Sequence, residues 1–128
     1  MKRYILDTHV VLWLEEPHKL SNEVLEILTS NAPKSISFAS VWEVAIKLNQ
    51  GKLELEGGVD GFYKIAEHNN LTIIGFRKPY FQVIECMGLI HKDPFDRMII
   101  ATAKTQELTI ITADEKIQKY DVDWVWGG

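Results

Sequence analysis

Five short apolar segments constrain the fold of this chain more than any other feature of its sequence. They read "KRYIL", "KSISF", "LTIIGF", "LTIIT" and "VDWVW", and longer stretches with helical spacing of apolar residues separate them. Short strands that are apolar and β-branched are typical of parallel sheets buried on both faces. Strands that alternate with helices also favour parallel pairing, because each crossover needs about a helix's length of chain. We therefore predict an α/β fold, namely a three-layer α/β/α sandwich with a central, mostly parallel sheet.

The stretches between these segments carry helix start signals. Ser21 is the expected N-cap of "SNEVLEILTSN", and Ser40 that of "SVWEVAIKLNQG", with Glu43 three residues later in the capping-box position. The clearest helix is "DPFDRMIIATAKTQE", with Asp93 as N-cap and Pro94 at the first helical position. Further helices are predicted at "HVVLWLEEP", "FYKIAEHNN", "KPYFQVIECMGL" and "ADEKIQKY", with "KLELEGGVDG" as a polar connection.

Length and composition narrow the class of protein. A chain of 128 residues suits one domain, 1–128, and 46% hydrophobic residues are too many for a disordered chain. The formal charge of −4 argues against nucleic-acid binding through bulk positive charge. Cys86 is the only cysteine, which excludes an intrachain disulfide and favours a cytoplasmic location. No apolar stretch is long enough for a bilayer, and Asp7 and His9 interrupt the apolar N-terminus, unlike a signal peptide.

Four carboxylates fall at comparable places on this predicted scaffold. Asp7 follows the first strand, and Asp114 follows "LTIIT". Glu43 and Asp96 each lie near the start of a predicted helix. Ligands of open parallel sheets bind at the carboxyl ends of the strands, where the following helices begin. We therefore expect these four acids, from distant parts of the chain, to converge on one crevice.

Convergence of this kind calls for a cation. Two unit charges about 4 Å apart repel by about 4 kcal/mol at an effective dielectric near 20, so the carboxylates must either take up protons or bind metal. Hard oxygen ligands without histidine or cysteine favour Mg²⁺ or Mn²⁺ over Zn²⁺. Such ions activate water and offset charge on a phosphate, which suits phosphodiester hydrolysis.

Each acid also has a simpler structural interpretation. Asp96 could complement the dipole of its helix, and Asp114 could cap the helix that follows it. Glu43 could be a capping-box acid paired with Lys47. Asp93 is assigned first to the N-cap, with contact to metal or water as a further option. Asp7 is the acid with the least obvious capping role. The metal hypothesis therefore rests on the joint placement of the four acids and not on any one of them.

Four motifs in order resemble a known family. "YILDTHVVLW", "FASVWEVAIKLNQGKLEL", "HKDPFDRMIIATA" and "TIITAD" resemble the PIN-domain nucleases, and especially the VapC-like toxins of type II toxin–antitoxin systems. The resemblance runs from Tyr4 to Trp126 and implies a single PIN-like domain. It implies that the catalytic, Mg²⁺- or Mn²⁺-binding residues are Asp7, Glu43, Asp96 and Asp114. Asp93 belongs to the "DPFDR" variant of the third motif and is a further candidate ligand.

The resemblance also implies an activity and partners. The expected activity is metal-dependent endoribonuclease cleavage of RNA by a metal-activated water. The expected partners are a cognate antitoxin, whose C-terminal segment blocks the active-site groove, and a second copy of the chain in a homodimer. Thr8 and Thr112 match hydroxyl positions near the acids, where they would support a carboxylate or bound water.

Several side chains near these motifs are candidates for RNA contacts. The candidates for phosphate contacts are Arg97, Lys92, Lys47 and Lys52, each of which has a solvated surface charge as its simpler interpretation. His9 would bind RNA or assist proton transfer, but a packed or exposed histidine is the more ordinary interpretation for His9 and His91 alike. The helical spacing of Trp13 and Trp42 favours packing in the core or at a dimer interface over base stacking.

Two other classes of protein compete with the nuclease hypothesis. A Mg²⁺-dependent phosphatase would use Asp7 as nucleophile, but the haloacid-dehalogenase-like pattern needs a second aspartate two residues later, where this chain has His9. A PIN-like module that binds RNA or a partner without cleavage is the other alternative. The integrity of all four acids argues against this binding module.

Overall fold

One sheet of five parallel strands organises the fold. The computed structural model describes residues 1–127, and in it the strands lie in the order β3-β2-β1-β4-β5. Every neighbouring pair is parallel. The strands are β1 (Tyr4–Leu6), β2 (Lys34–Ser37), β3 (Thr72–Ile74), β4 (Thr109–Ile111) and β5 (Trp124–Val125).

Helices cover both faces of this sheet. They are α1 (Thr8–Trp13), α2 (Asn22–Thr29), α3 (Phe38–Asn49), α4 (Gly58–His68), α5 (Lys78–Cys86), α6 (Pro94–Gln106) and α7 (Glu115–Gln118). Leu6, Ile36 and Ile111 point to one face, where they pack with apolar residues of α1, α2 and α4. Ile5 and Ile110 point to the other face and pack with α6 and α7. The two cores follow from the alternation of side chains along a strand, and they confirm the predicted α/β/α sandwich.

The strand order brings the carboxyl ends of β1, β2 and β4 side by side. Leu6 is in register with Ile36 of β2 and with Ile111 of β4. After β1 the chain continues to β2 and β3 on one side of β1, and it then crosses to β4 and β5 on the other side. The strand order therefore switches between β1 and β4. In open parallel sheets a crevice forms outside the strand ends at such a switch, and the predicted acids lie there.

Helix α3 begins earlier than its sequence signals predicted. The N-cap is Ser37, whose Oγ accepts a hydrogen bond from the Ala39 amide at 3.0 Å. Ser40 is therefore buried inside the first turn, and the predicted capping box with Glu43 is wrong. The reason is that β2 runs directly into α3, so the cap falls on the last residue of the strand. Glu43 consequently lies in the second turn, on a face that is turned toward the sheet edge.

Helix α4 also begins earlier than predicted, within the Gly-rich connection. Gly57 precedes it with a φ of +79°, a conformation that glycine adopts without steric cost. A Cβ on Gly61 would lie 1.9 Å from the carbonyl oxygen of Glu56. Glycine at position 61 therefore lets the first turn of the helix pack tightly against the chain that leads into it.

Over the described residues, 1–127, none of the helices combines the length and apolarity needed to cross a bilayer.

Candidate functional site

Asp7 is buried in the crevice, directly after β1. It is the N-cap of α1: Oδ1 accepts a hydrogen bond from the Val10 amide at 3.0 Å, and Oδ2 accepts one from the hydroxyl of Thr112. The sequence made this capping role the least obvious among the acids, and the structure shows that Asp7 does cap a helix. Burial raises the pKa of Asp7, and the two hydrogen bonds oppose this effect in part.

Thr112 joins two of the predicted acids. It is fully buried just after β4, and its hydroxyl donates to Asp7 and accepts from the amide of Asp114 at 3.0 Å. The other predicted hydroxyl, on Thr8, instead donates to Ser40 Oγ at 2.8 Å and so joins α1 to α3. Thr112 is therefore the hydroxyl that directly supports the carboxylates.

Replacement of Thr112 by valine is expected to lower the free energy of unfolding by about 2 kcal/mol. Valine keeps the shape but leaves Asp7 Oδ2 and the Asp114 amide without their shared partner. Chemical denaturation measures the change. Thr102→Val is the matched control, because buried Thr102 donates only to the Met98 carbonyl within α6. Equal losses for the two variants would contradict the role given to Thr112.

The start of α6 places two further acids. Asp93 is the N-cap, as predicted, and its Oδ1 accepts from the amides of Phe95 at 2.8 Å and Asp96 at 3.0 Å. Asp96 lies in the first turn and is largely buried. Burial raises its pKa to about 8, and the nearby charges of Asp93, Asp7, Glu43 and Asp114 add to the shift. Acids from four separate elements are therefore close enough to repel one another.

Glu43 brings a buried carboxylate from α3 to the same place. It is only 3% exposed, and its Oε2 accepts a hydrogen bond from Lys47 Nζ at 2.7 Å. That bond raises the pKa of Lys47, which keeps this lysine positively charged. Glu43 Oε1 is the one buried side-chain nitrogen or oxygen without a hydrogen-bond partner between residues 1 and 127. A buried carboxylate oxygen without a partner is costly, and a cation would satisfy it.

His91, for which the sequence favoured an ordinary packed or exposed histidine, lies beside these acids. Its Nε2 is 2.7 Å from Asp96 Oδ2 and 3.6 Å from Asp114 Oδ2. Asp114 itself caps α7 by accepting from the Lys116 amide at 2.8 Å. His91 lies two residues before the N-cap Asp93, in the loop that leads into α6. The term "acidic centre" below denotes Asp7, Glu43, Asp96 and Asp114.

The predicted phosphate-binding side chains have varied surroundings. Lys92 and Lys52 are exposed, and His9 is exposed and close enough to Asp7 to lower the pKa of that carboxyl. Lys47 is engaged with Glu43. Arg97 donates to the carbonyls of Gly88, His91 and Ile84, at 3.0 to 3.4 Å. A phosphate contact by Arg97 stays a prediction that competes with its bonds to the main chain.

The two tryptophans predicted to pack differ in their surroundings. Trp13 is partly buried against the core that α1 and α4 share. Trp42 is 57% exposed on α3 and meets Phe95 of α6 edge to face, with ring centroids 5.4 Å apart. Trp42 therefore does not pack in the core, and its packing at a dimer interface stays a prediction; its exposed ring belongs to the residue next to Glu43 in the chain.

The residues present fit a divalent cation. Oxygen ligands dominate the acidic centre, Glu43 Oε1 lacks a partner, and Lys47 is bonded to the other carboxylate oxygen of Glu43. The Nε2 of His91 and one carboxylate oxygen each from Asp96 and Asp114 lie within 4.8 Å of one another. The carboxylate oxygens of the acidic centre are ligands that suit Mg²⁺ or Mn²⁺ better than zinc.

Comparisons with known proteins concern the family and the fold of the chain. A family profile described as "PIN domain" matches residues 4–123, whereas no curated protein sequence matches the chain. The fold is similar to that of VapBC2 from Rickettsia felis, solved bound to a DNA fragment from their promoter, with a TM-score of 0.72 at 19% identity over 97% of this chain and 98% of that chain.

Two further solved structures share the fold. VapBC-1 from nontypeable Haemophilus influenzae has a TM-score of 0.69 at 19% identity, over 95% of this chain and 96% of that chain. A toxin–antitoxin complex from Klebsiella pneumoniae has a TM-score of 0.63 at 19% identity, over 95% of each chain.

Proposed function

The chain belongs to the PIN domain family, a family of nucleases, and we propose that it is a divalent-metal-dependent endoribonuclease that hydrolyses phosphodiester bonds in RNA. One observation carries the proposal. Carboxylates from four separate elements meet at the switch point of the sheet, and one of them, Glu43, has a buried oxygen without a partner. An arrangement this costly to the folded chain is expected where a cation is bound for chemistry.

The residues of the acidic centre divide into two roles. Asp7 and Asp96 would be the principal ligands of Mg²⁺ or Mn²⁺, and Glu43 and Asp114 would complete the site. A bound divalent ion supplies positive charge beside the attacked phosphate and lowers the pKa of water. The Val10 amide and the Thr112 hydroxyl hold the carboxylate of Asp7 in one orientation. The salt bridge to Lys47 does the same for Glu43.

Contacts with the RNA backbone would come from exposed cations around the crevice. Lys92, Lys52 and His9 are exposed and therefore available. Lys47 and Arg97 would contribute only by exchanging bonds that they make within the protein. Because the net charge of the chain is negative, these cations around the crevice have to supply the electrostatic attraction for RNA that the net charge does not.

We further propose that the chain is the toxin of a toxin–antitoxin pair and that it forms a homodimer. The support is the fold that it shares with the VapBC complexes and with the Klebsiella pneumoniae toxin–antitoxin complex. The cognate antitoxin would inhibit by inserting an arginine or lysine among the carboxylates, where its charge would replace that of the metal. A small neighbouring gene for a DNA-binding protein would support this pairing.

The test is cleavage of RNA by the purified protein. A mixture of total RNA and defined RNA oligonucleotides is incubated with Mg²⁺, with Mn²⁺ or with EDTA, and the new ends are sequenced. We expect ends at reproducible positions with either ion and none with EDTA. If intact RNA is recovered across the whole mixture with both ions, or if cleavage continues in EDTA, the proposed activity is wrong.

A further inference from the structure

We propose that His91 is a direct ligand of the divalent ion in the acidic centre, so that the site has mixed nitrogen and oxygen donors and prefers Mn²⁺ to Mg²⁺. The inference rests on the proposed function in one respect, which is that the acidic centre holds a metal ion. His91 would join the proposed metal ligands, although it is neither one of the four acids nor one of the hydroxyl groups that support them.

The burial of His91 contrasts with that of its neighbours in the chain. His91 is 9% exposed, whereas Leu89 and Ile90, which precede it in the loop between α5 and α6, are 76% and 48% exposed. Apolar side chains thus face solvent while an imidazole is turned inward, against the usual hydrophobic preference. This reversal indicates that a specific interaction inside the site places the ring.

The main chain of His91 is fixed on both sides. Its amide donates to the hydroxyl oxygen of Tyr120 at 2.9 Å, and its carbonyl accepts from Arg97 Nη1 at 3.0 Å. The same two side chains also donate to the carbonyl of Gly88, at the start of the loop. These bonds fix the main chain of His91 at the edge of the acidic centre, and they give Arg97 and Tyr120 a positioning role.

The ring nitrogen points at the carboxylates that would share the ion. Nε2 lies 2.7 Å from Asp96 and 3.6 Å from Asp114, and the three ligand atoms lie within 4.8 Å of one another. Opposite ligands of an octahedral ion are about 4 Å apart, so one ion can reach all three with small side-chain movements. The buried Glu43 Oε1, which has no hydrogen-bond partner on a carboxylate whose charge reaches Asp96, is a second observation that points to a cation at the acidic centre.

An imidazole that merely hydrogen-bonds to Asp96 is the competing explanation, and the two differ in what they predict for metal binding. A purely hydrogen-bonding histidine leaves an all-oxygen site, in which no nitrogen contacts the ion. A ligand histidine places nitrogen on the ion and favours Mn²⁺ over Mg²⁺, because imidazole is a poor ligand for Mg²⁺.

The experiment is electron spin echo spectroscopy of Mn²⁺ bound to the purified full-length protein, with binding of Mn²⁺ and Mg²⁺ measured by calorimetry. Wild type is expected to show modulation from nitrogen bound to Mn²⁺. His91→Gln is expected to lose it and to bind Mn²⁺ about tenfold or more weakly, with a smaller change for Mg²⁺. His9→Gln is the matched control, because His9 is also close to the acidic centre and its replacement should leave the nitrogen signal in place.

The outcomes separate this inference from the proposed nuclease activity. RNA cleavage with Mn²⁺ but no nitrogen signal in wild type, or a signal that persists in His91→Gln, overturns the role of His91 while the nuclease proposal stands. A nitrogen signal that depends on His91 in a protein that cleaves no RNA supports the ligand and overturns the nuclease. Failure of wild type to bind Mn²⁺ overturns the ligand role. Circular dichroism shows whether each variant is folded.

Discussion

Replacement of Asp96 by asparagine is expected to slow metal-dependent RNA cleavage by about a thousandfold, equivalent to about 4 kcal/mol of transition-state stabilisation. Asparagine preserves the size of the side chain and the first turn of α6 but removes the charge that would bind the ion. The effect is expected to be large because Asp96 is close both to His91 and to the charges of the other acids. Single-turnover cleavage of one RNA oligonucleotide at saturating Mn²⁺ measures the rate.

Asp60→Asn is the matched control for this variant. Asp60 is an exposed aspartate in the first turn of α4, so its replacement has the same effect on a helix dipole without touching the acidic centre. Its cleavage rate should equal that of wild type. Undiminished cleavage by the Asp96 variant would remove Asp96 from the metal site and would contradict the proposed mechanism.

The stability of the metal-free protein is expected to fall as the pH rises from about 4 to 8. Asp96 has a pKa of about 8 in the folded chain, against an ordinary value of 3.8. Between these values the folded chain keeps a proton that the unfolded chain has released, so each rise in pH favours unfolding. A shift of one unit corresponds to about 1.4 kcal/mol, and we expect Asp96 to contribute a loss of at least about 2 kcal/mol between pH 5 and pH 8.

Burial of Asp96 is the largest cause of its raised pKa, and charges from several elements add to it. Asp93 lies on the same helix start, Asp7 and Glu43 face Asp96 from α1 and α3, and Asp114 and His91 approach it from their loops. Urea unfolding in EDTA at both pH values, on wild type and on Asp96→Asn, isolates the contribution of Asp96. The variant should be the more stable of the two at pH 8, and Mn²⁺ should stabilise wild type more than the variant. Parallel pH dependence in the two proteins would show that Asp96 is not the group responsible.

Much of the architecture could be predicted from sequence because its signals are local. The apolar strands predicted the parallel sheet, and the order of strands and helices placed four acids at one edge, where the structure brings them together. Asp93 and Asp114 cap helices as their spacing indicated. Lys47 pairs with Glu43, as the spacing of four residues on a helix allows.

What the sequence could not supply depends on contacts between distant residues. Ser37 and Ser40 are equally good N-caps by composition, and only the run of β2 directly into α3 decides between them. Thr112 reaches Asp7 across 105 positions of the chain, a contact that no local pattern encodes. His91 lies in an irregular loop whose path is set by Arg97 and Tyr120, so its place beside Asp96 follows from tertiary structure alone.

Three of the acids that surround the crevice, Asp7, Asp93 and Asp114, also cap the helices that begin there. Asp96 caps nothing, although it would be central to the chemistry. Over evolutionary time these positions should therefore diverge differently in descendants that give up cleavage but keep the fold. The three capping sites would tolerate mainly asparagine or serine, whereas position 96 would be free to become apolar. Loss of the aspartate at position 96 would therefore be the first sign in the sequence that a descendant no longer cleaves.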